Sequence, residues 1–280
     1  MSIVFTKMSG SGNDFIIIDN RESIIKDSAK RDFVKGICIP KVSVGADGVI
    51  FVENSKKVDF KWDFYNDDGS SAEMCGNGGR CVARYAYEKN IASKTMSFET
   101  LAGIVSAEVK ESHVRIKLTP PKNLQTNLNI KLNGVEFKVD SLDTGVPHAI
   151  IYTEDIANED VFGIGQGIRE HSAYAPAGTN VDFVERQGEN KLKIRTYERG
   201  VEGETLACGT GVVASALLAS RLGLVKPPVL VETQGGEVLT VDFKITDGDE
   251  KFGEVFLEGS AKIIFEGTIV EIWLCDENVK

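Results

Sequence analysis

The sequence of 280 residues holds few of the residues that bind metals or cross-link a chain. It has three histidines, scattered along its length, and five cysteines, none of them in a CxxC pair. These spacings do not match the ligand sets of structural zinc sites, and an odd cysteine count disfavours a disulfide framework. Nor does any lysine lie beside a glycine-rich phosphate cradle, as a pyridoxal phosphate site requires. We therefore expect neither a metal nor a cofactor.

Long apolar runs and basic stretches are also missing. The longest apolar stretch, residues 212–219, is far too short to cross a bilayer. The N-terminal segment lacks the apolar region and cleavage site of a secretory signal. The formal net charge of -10 disfavours nucleic acid and anionic membranes as partners. We expect a cytoplasmic globular protein that binds neither.

The chain carries an internal repeat. Cys75 lies in the motif MCGNG and Cys208 lies in the motif ACGTG, 133 residues further on. Without a gap, the same spacing aligns Gly12 with Gly145, Gly45 with Gly178, Asn66 with Arg199, and residues 98–103 with residues 231–236. One spacing that relates several separated segments indicates an ancient duplication.

Each half shows the same order of local patterns. Short apolar runs rich in β-branched and aromatic residues precede the cysteine, and strand patterns return later in each half. Directly after the cysteines, helical patterns cover residues 78–89 and 211–222. The adjacent Pro120 and Pro121 suit a boundary between the halves.

These patterns predict an α/β fold of the α+β type with two homologous lobes. Residues 1–119 form the first lobe, to which the tail 265–280 returns, and residues 120–264 form the second. In each lobe, strands wrap around one central helix. We expect a pseudo-two-fold axis to relate the lobes and the active site to lie in the cleft between them.

Both cysteines stand where a predicted helix begins. Unpaired N–H groups and the positive end of the helix dipole meet there, and the glycines that follow leave room for a small carboxylate. The same field favours a thiolate and lowers the pKa of a cysteine from about 8.5 toward neutrality. Two such sites facing each other can remove a proton from one face of a carbon and deliver one to the opposite face. This geometry suits inversion of a carbon next to a carboxylate.

A lone cysteine is most often a small buried hydrophobic residue, and this interpretation applies to Cys38, Cys81 and Cys275. A single CGxG motif is a weak signal, because glycines also form tight turns. Two such motifs at the repeat spacing favour an active role for Cys75 and Cys208. A redox dithiol is a less favoured interpretation, because the usual CxxC element is absent.

At these motifs the sequence resembles the diaminopimelate epimerase family, whose members interconvert LL- and meso-diaminopimelate on the route to lysine and peptidoglycan. The motif MCGNGGRC is close to diagnostic of that family. The matching segments run in the family order: SGNDFIIID at 11–19, FYNDDGSSAEMCGNGGRCVARY at 64–85, GTNVDFV at 178–184 and YERGVEGETLACGTG at 197–211. They span nearly the whole chain.

The resemblance implies an isomerase that needs no cofactor, with Cys75 and Cys208 as the two acid/base thiols. It also implies a homodimer. The backbone N–H groups implied to hold the carboxylate at the reacting carbon are those of Gly76, Asn77, Gly209 and Thr210. The further substrate-binding residues implied are Asn13, Asn66, Asn180, Glu198 and Arg199.

The adjacent Glu198 and Arg199 also make chemical sense for a substrate that is an amino acid at both ends. An arginine grips a carboxylate with two hydrogen bonds, and a glutamate suits an ammonium group. The sequence departs from family members at Val146, where asparagine often stands, and at Gly48, where some members carry glutamine. His148, two residues after Val146, is expected either to be structural or to support the site.

Other functions remain alternatives at this stage. A proline or hydroxyproline racemase of the same fold also uses two cysteines, but tends to carry histidine at the position of Asn77. A phenazine-type isomerase of that fold lacks the paired cysteines. A non-catalytic amino-acid-binding protein would keep the N–H groups and would not need both thiols.

Overall fold

The computed structural model describes residues 2–245 and 252–270. Cys275 therefore lies outside the described residues, as does most of the predicted tail. The α-helices of the described part are α1 (Asp27–Ile37), α2 (Gly76–Glu88), α3 (Val161–Arg169) and α4 (Gly209–Arg221). Its strands are β1 (Ile3–Gly10), β2 (Asn13–Asp19), β3 (Gly48–Glu53), β4 (Phe60–Asn66), β5 (Thr95–Thr100), β6 (Gly103–Lys110), β7 (His113–Lys117), β8 (Lys122–Leu132), β9 (Val135–Asp143), β10 (Pro147–Tyr152), β11 (Asn180–Arg186), β12 (Lys191–Glu198), β13 (Gly203–Thr205), β14 (Val229–Glu232), β15 (Val238–Ile245), β16 (Phe252–Ser260) and β17 (Lys262–Ile269).

The chain divides into two compact units. Unit 1 comprises the described residues of Met1–Ile116 and Gly259–Lys280, and unit 2 comprises those of Lys117–Glu258. Strand β17 belongs to unit 1, where it pairs with β1. The predicted lobes had their boundaries at residues 119/120 and 264/265, a few residues from those of the units.

In unit 1 the paired strands follow the order β17-β1-β2-β3-β4-β5-β6-β7. The pairs β2–β3 and β4–β5 are parallel, and the other five pairs are antiparallel. Parallel pairs need a crossover connection, which α1 and α2 supply between these strands.

Unit 2 has the order β8-β9-β10-β11-β12-β14-β15-β16, with the same succession of parallel and antiparallel pairs. Here α3 and α4 make the two parallel crossovers. Strand β8 takes the place in unit 2 that β17 takes in unit 1. Unit 1 therefore has the topology of unit 2 with one strand supplied from the far end of the chain.

The central helix of each unit is nearly surrounded by strands. Helix α2 packs against β1, β2, β3 and β6, and α4 packs against six strands of unit 2. The run VVASALLAS in α4 is buried throughout, as expected for a helix with apolar residues on all sides. Helix α2 begins at Gly76 and α4 begins at Gly209, two residues before the predicted helical patterns. In both helices the cysteine directly before this start is the N-cap residue.

Helices α1 and α3 lie on the outer faces of the strands, and the repeat pattern did not predict them. In unit 1, Phe33 and Val34 of α1 pack on Ile16 and Phe51 of the strands, whereas Phe15 faces Gly78 of α2. The strands β2 and β3 are thus covered on both faces. Burial of both faces explains why the sequences of β2 and β3 are continuous apolar runs and do not alternate between apolar and polar residues.

The glycines of the repeat adopt matching backbone conformations. Gly45 and Gly178 have φ values of +71° and +72°, in the left-handed region that glycine adopts without strain. A Cβ atom at Gly178 would lie 2.8 Å from the Arg169 carbonyl oxygen, so no larger residue fits there. The conserved conformation at equivalent positions of the two units supports the duplication.

The strand register corrects the gapless alignment at one point. Ile17 lies beside Ile50 in unit 1, and Ile150 lies beside Asp182 in unit 2. Ile17 and Ile150 are 133 residues apart, whereas Ile50 and Asp182 are 132 apart. The cause lies in the preceding loops, since β3 begins three residues after its loop glycine and β11 only two.

The spacing of 132 carries over into β4 and β12, because the β3–β4 and β11–β12 registers correspond. The predicted alignment of Asn66 with Arg199 is therefore wrong. The strand register aligns Asn66 with Glu198 instead. At the two cysteines the spacing is again 133, since both central helices begin directly after them.

Candidate active site

Cys75 is the N-cap residue of α2. Its backbone is extended, with φ -141° and ψ 121°, and its Sγ atom accepts a hydrogen bond from the Gly78 N–H group at 3.5 Å. A thiolate gains from such a donor and from the positive end of the helix dipole. The side chain is half-buried, so this helix start is accessible to a reactant.

A chain of hydrogen bonds fixes two predicted substrate-binding amides beside this helix start. Arg80 is fully buried and donates from Nη2 to Oδ1 of Asn77 at 2.9 Å. Asn77 donates from Nδ2 to Oδ1 of Asn13 at 2.6 Å, and Asn13 donates from Nδ2 to Asp47 at 3.0 Å. Because an arginine only donates and a carboxylate only accepts, the chain sets the orientation of both amides. The structure thus brings Asn13 and Asn77 together near Cys75.

Asn66 lies at the end of β4, on the segment that leads toward Cys75. Its side-chain Nδ2 donates to the Ser70 hydroxyl at 3.0 Å, and Gly48 lies opposite it in β3. A Cβ atom at Gly48 would lie 2.6 Å from the Tyr65 carbonyl oxygen. This register therefore leaves no room for a larger residue at position 48.

Cys208 is the N-cap residue of α4, with φ -116° and ψ 107°, and its Sγ atom lies 3.4 Å from the Thr210 hydroxyl. Burial raises the pKa of this thiol well above its usual range, and the carboxylates of Glu198 and Asp182 raise it further. The hydroxyl of Thr210 and the N–H group of Gly211 act in the opposite direction. The predicted lowering of the pKa is therefore wrong for Cys208, because burial and two carboxylates outweigh the helix field.

A buried polar cluster underlies the start of α4. Nδ1 of His148 lies 2.7 Å from Oδ2 of Asp182, and the Thr196 hydroxyl donates to Oδ1 of Asp182 at 2.7 Å. A Cβ atom at Gly211 would lie 2.3 Å from that carboxylate, which therefore packs directly against the first turn of the helix. His148 is thus part of the support of this helix start, one of its two predicted roles.

The remaining predicted residues of unit 2 are tied to one another. Asn180 is buried and accepts a hydrogen bond at Oδ1 from the Arg199 backbone N–H at 2.8 Å. Arg199 donates from Nη1 to the Ala177 carbonyl at 3.2 Å, which uses one of its five N–H donors. Burial raises the pKa of the Glu198 carboxyl group. Asn180 therefore positions the Glu198–Arg199 segment through the backbone.

A side chain binds a carbonyl of the first helical turn in both units, and in unit 1 it is Arg80, which donates from Nη1 to the Gly76 carbonyl at 3.5 Å. Gly76 and Gly209 are the first residues of α2 and α4. The Thr210 carbonyl accepts a hydrogen bond from the Thr144 hydroxyl at 2.9 Å. The first N–H groups of a helix have no partners within the helix and can receive a carboxylate, which is the role that the sequence predicts for these residues.

In each unit, the structure groups most of the sequence-predicted residues around the cysteine of that unit. Sequence reasoning missed Arg80, Asp47, Asp182 and Thr196, which position the predicted residues. For Asp182 a signal existed, because a single acidic residue interrupts the otherwise apolar run VDFV of β11. Arg80 carried a comparable signal, since it lies among buried positions of a central helix.

The other two described cysteines are withdrawn from solvent. Cys38 and Cys81 are buried, and burial raises the pKa of Cys38 to about 12. The Cys38 thiol is therefore not prone to ionise at neutral pH. The prediction that these two residues are small core residues agrees with their positions.

Among the described residues, one group of three carboxylates is close enough to share a cation: Asp27, Glu53 and Asp63. The buried ammonium group of Lys30 contacts all three, at 2.7 Å from Asp27 and 2.8 Å from Asp63. The ammonium group of Lys30 thus already provides a cation at the point where these carboxylates converge. The group holds α1 on β3 and β4.

Within residues 2–245 and 252–270, no helix is long and apolar enough to cross a membrane. A sequence profile described as diaminopimelate epimerase matches the chain at residues 5–123 and 141–264. These two stretches contain both cysteine motifs. The resemblance predicted from the sequence is confirmed.

Two relatives show how far the similarity extends. The chain is 47% identical over 278 residues to a diaminopimelate epimerase of Aquifex aeolicus (strain VF5), covering 95% of this chain and 98% of that protein. It is 39% identical over 282 residues to a diaminopimelate epimerase of Archaeoglobus fulgidus, covering 96% and 97%. The similarity thus covers nearly all of each protein.

Solved structures share the fold at low sequence identity. A phenazine biosynthesis protein of the PhzF family from Bacillus anthracis matches with a TM-score of 0.73 at 17% identity, over 97% of this chain and 100% of that one. A hydroxyproline epimerase from Agrobacterium vitis, with bound trans-4-hydroxy-L-proline, matches with a TM-score of 0.69 at 15% identity, over 96% and 92%. The predicted α/β fold class is confirmed.

Proposed function

Since the chain belongs to the diaminopimelate epimerase family and is therefore an isomerase, we propose that it interconverts LL- and meso-diaminopimelate by a two-base mechanism. Cys75 and Cys208 are the acid and base of this proposal. One observation carries it: the two cysteines are the extended N-cap residues of equivalent helices in two units of the same topology. No metal or cofactor takes part.

The reaction needs one proton removed and one delivered. A thiolate on one cysteine takes the α-proton from one face of the carbon, and the thiol of the other cysteine delivers a proton to the opposite face. The thiolate and thiol thereby exchange places. In the reverse direction the same two groups exchange roles, so a single site serves both stereoisomers.

Negative charge develops on the reacting carboxylate as the α-proton leaves. The backbone N–H groups of Gly76 and Asn77 at α2, and of Gly209 and Thr210 at α4, are placed to stabilise it. Fixed donors at a helix start need no reorganisation during the reaction, which makes them effective for a carbanion-like transition state. For this role we propose that the two units are the lobes of the duplication and that both cysteines act on one substrate.

The other end of the substrate is itself an amino acid. We assign its carboxylate to Arg199, whose contact with Ala177 uses one of five donors, and its ammonium group to Glu198. The amides of Asn13, Asn66 and Asn180 complete the proposed substrate contacts. Asn13 and Asn180 are both held in fixed orientations by neighbouring groups.

The proposal extends to the wider setting of the reaction. We propose that the protein acts in the cytoplasm, as a homodimer, in the formation of lysine and peptidoglycan precursors. The acidic net charge of -10 supports a small-molecule substrate rather than nucleic acid or an anionic membrane. Sedimentation of the purified protein tests the dimer.

The decisive experiment follows deuterium and stereochemistry together. Freshly reduced protein is incubated with LL-diaminopimelate in D2O without added cofactor, and α-deuterium and the meso isomer are measured. We expect both to appear, and both to be lost in Cys75→Ala and in Cys208→Ala. Cys38→Ala serves as the matched control, because this thiol lies in a hydrophobic core and its loss leaves the reaction intact.

The same assay separates the alternatives. Turnover of L-proline or trans-4-hydroxy-L-proline, with none of diaminopimelate, would replace the proposed substrate while keeping the two thiols. Tight binding of diaminopimelate without deuterium exchange would indicate a binding protein. Activity that survives loss of either cysteine would remove the two-base mechanism.

A further inference from the structure

A buried network of polar side chains crosses three strands of unit 2. The Thr196 hydroxyl donates to Oδ1 of Asp182 at 2.7 Å, and Nδ1 of His148 lies 2.7 Å from Oδ2 of the same carboxylate. On the other side of the imidazole ring, Nε2 of His148 lies 3.5 Å from Nδ2 of Asn180. Oδ1 of Asn180 accepts a hydrogen bond from the Arg199 backbone N–H at 2.8 Å. This polar network therefore joins Asp182 to the backbone of Arg199.

The equivalent positions of unit 1 carry apolar residues and a glycine. By the strand register, the four side chains of the polar network correspond to these residues of unit 1: His148 to Phe15, Asn180 to Gly48, Asp182 to Ile50 and Thr196 to Phe64. The two phenylalanine rings pack edge to face at 5.9 Å. The shared topology is thus built without a polar network in unit 1, so the network serves a purpose that is particular to unit 2.

Two backbone groups fix the direction of the Asn180 amide. The Arg199 N–H group only donates, so the atom that faces it has to be the oxygen of the amide. The Pro147 carbonyl only accepts, and it lies 3.3 Å from Nδ2 of Asn180. The amide therefore presents its N–H donors toward Nε2 of His148. A ring nitrogen that faces donors has to carry a lone pair rather than a proton.

The other ring nitrogen of His148 leads to the same protonation state. Asp182 packs against the first turn of α4, where a Cβ atom at Gly211 would lie 2.3 Å from its carboxylate. The positive end of the helix dipole favours the ionised form of this group. An ionised carboxylate only accepts hydrogen bonds, so Nδ1 of His148 has to donate to it. Both neighbours of the ring thus favour a neutral His148 with its proton on Nδ1.

A proton on Nε2 of His148 would disturb the far end of the polar network. It would face the N–H groups of Asn180, and the amide would have to turn to accept it. The turned amide would then direct an N–H group at the Arg199 backbone N–H, and the hydrogen bond between these two residues would be lost. The protonation state of His148 is therefore coupled to the position of Arg199.

We propose that Asp182 is a positioning residue for recognition of the distal end of the substrate: it holds His148 as the Nδ1–H tautomer, and His148 holds the Asn180 amide on the backbone of Arg199. This inference rests on the proposed function, which assigns the distal carboxylate to Arg199. Asp182 is fully buried and acts through the two residues that lie between it and Arg199. Unit 1 has phenylalanine and glycine at the positions of those two residues, so it has no such support.

The first test identifies the tautomer in the reduced full-length protein. With 15N-labelled histidine rings, NMR distinguishes protonated from unprotonated ring nitrogens at pH 8, above the ordinary imidazole pKa of about 6.5. The variants His113→Gln and His171→Gln identify the His148 signals and leave the polar network intact. We expect the proton of His148 on Nδ1. His171 is the internal control, because its Nδ1 accepts from the Ala173 N–H at 3.2 Å and its proton therefore lies on Nε2. A protonated Nε2 in His148 overturns the proposal.

Amide hydrogen exchange tests the far end of the network without substrate. Asp182→Asn keeps the volume of the side chain, but an amide can donate to Nδ1 of His148 as well as accept from it. We expect exchange of the Arg199 N–H to become about fivefold faster, while the amides within β12 keep their rates. Asp140→Asn is the matched control, because Asp140 is also buried in unit 2 and accepts from a backbone N–H, that of Asn127 at 2.8 Å. An unchanged rate at Arg199 in Asp182→Asn overturns the role of Asp182.

Steady-state kinetics connect the network to the substrate. We expect Asp182→Asn to raise KM for diaminopimelate about fivefold with a smaller change in kcat, because a less firmly held Arg199 binds the distal carboxylate more weakly. In an Arg199→Lys background, the same substitution should raise KM by less than about twofold, since the two changes affect one contact. A merely structural role of Asp182 would give equal factors in both backgrounds and would overturn the proposal.

This inference and the proposed function can fail separately. The tautomer and the exchange rate require no turnover, so without epimerisation they still decide whether Asp182 positions Arg199. Epimerisation together with a proton on Nε2 of His148 would remove only this inference. A proton on Nδ1 and faster exchange at Arg199 in Asp182→Asn, but without epimerisation, would remove only the proposed reaction.

Discussion

Nδ1 of His148 lies 2.7 Å from Oδ2 of Asp182, and both side chains are wholly withdrawn from solvent. Such a pair stabilises a fold only as long as both partners are present, because removing one leaves the other buried and unpaired. The equivalent positions of unit 1 carry Phe15 and Ile50. The duplication therefore offers a natural apolar replacement for the pair.

We predict that the single replacement His148→Phe lowers the free energy of unfolding by about 3 kcal/mol, because Asp182 is left buried with only the hydrogen bond from Thr196. Adding Asp182→Ile, the unit 1 residue, should recover about 1 to 3 kcal/mol of that loss. Urea denaturation of both single variants and the double variant measures the coupling. Strictly additive losses would show that the two side chains do not depend on each other.

The Asp182 carboxylate also limits which residue fits at position 211. A Cβ atom there would lie 2.3 Å from Oδ1 of Asp182. We predict that Gly211→Ala lowers the free energy of unfolding by about 1 to 3 kcal/mol, because the carboxylate or the helix has to move. Gly203→Ala is the control, since no atom lies within 4 Å of a Cβ atom at that position. Equal unfolding midpoints in urea for the two variants would contradict this account.

The sequence alone predicted the central helices and most strands because their signals are local. A cysteine followed by glycines and an apolar helical run indicates the starts of α2 and α4, and this signal does not depend on the rest of the chain. Helix α3 escaped prediction because its sequence VFGIGQGIR contains three glycines, which weaken any helical pattern. Its capping residue Asp160, which accepts a hydrogen bond from the Gly163 N–H at 2.8 Å, is visible only in the structure.

The candidate site was predictable as a set of residues, but not as an electrostatic arrangement. The helix field was expected to act alike on both cysteines, because the two motifs are alike. The environment of Cys208 depends on Asp182 and Glu198, which lie on two other strands. The register that brings a strand residue under a helix start depends on tertiary packing, which no local pattern encodes.

Lys30 offers a test of buried charge in unit 1. Its ammonium group lies among Asp27, Glu53 and Asp63. We predict that Lys30→Met lowers the free energy of unfolding at pH 7 by about 3 to 5 kcal/mol, because the carboxylates lose their cation. The control Lys61→Met removes an exposed partner of Glu53 and should cost about 1 kcal/mol or less.

The effect of Lys30 should depend on pH in a definite direction. Burial opposes ionisation of Glu53, but Lys30 outweighs it and lowers the pKa of this carboxyl group, and Lys30 also lowers that of Asp27. Carboxyl groups with lowered pKa values stabilise the fold above their unfolded pKa of about 4, and this contribution is lost as the pH falls through the folded pKa. The difference between Lys30→Met and the unsubstituted protein should therefore shrink from pH 7 to pH 3. Urea unfolding at both pH values measures it, and a constant difference would exclude the ionic explanation.

Arg199 provides the sharpest test of substrate choice, because its proposed partner is a group that only a substrate with a second carboxylate presents. Arg199→Lys keeps the charge but loses the bidentate hydrogen bonds to a carboxylate. We therefore expect KM for diaminopimelate to rise about tenfold or more, with a smaller change in kcat. The unfolding midpoint should hardly change, because within the described part of the chain the guanidinium group makes one hydrogen bond, to the Ala177 carbonyl. Arg186→Lys is the control, since that exposed arginine binds the Gly188 carbonyl and should leave KM unchanged. Steady-state kinetics in both directions of the reaction measure KM and kcat. An unchanged KM in Arg199→Lys would show that another residue binds the distal carboxylate.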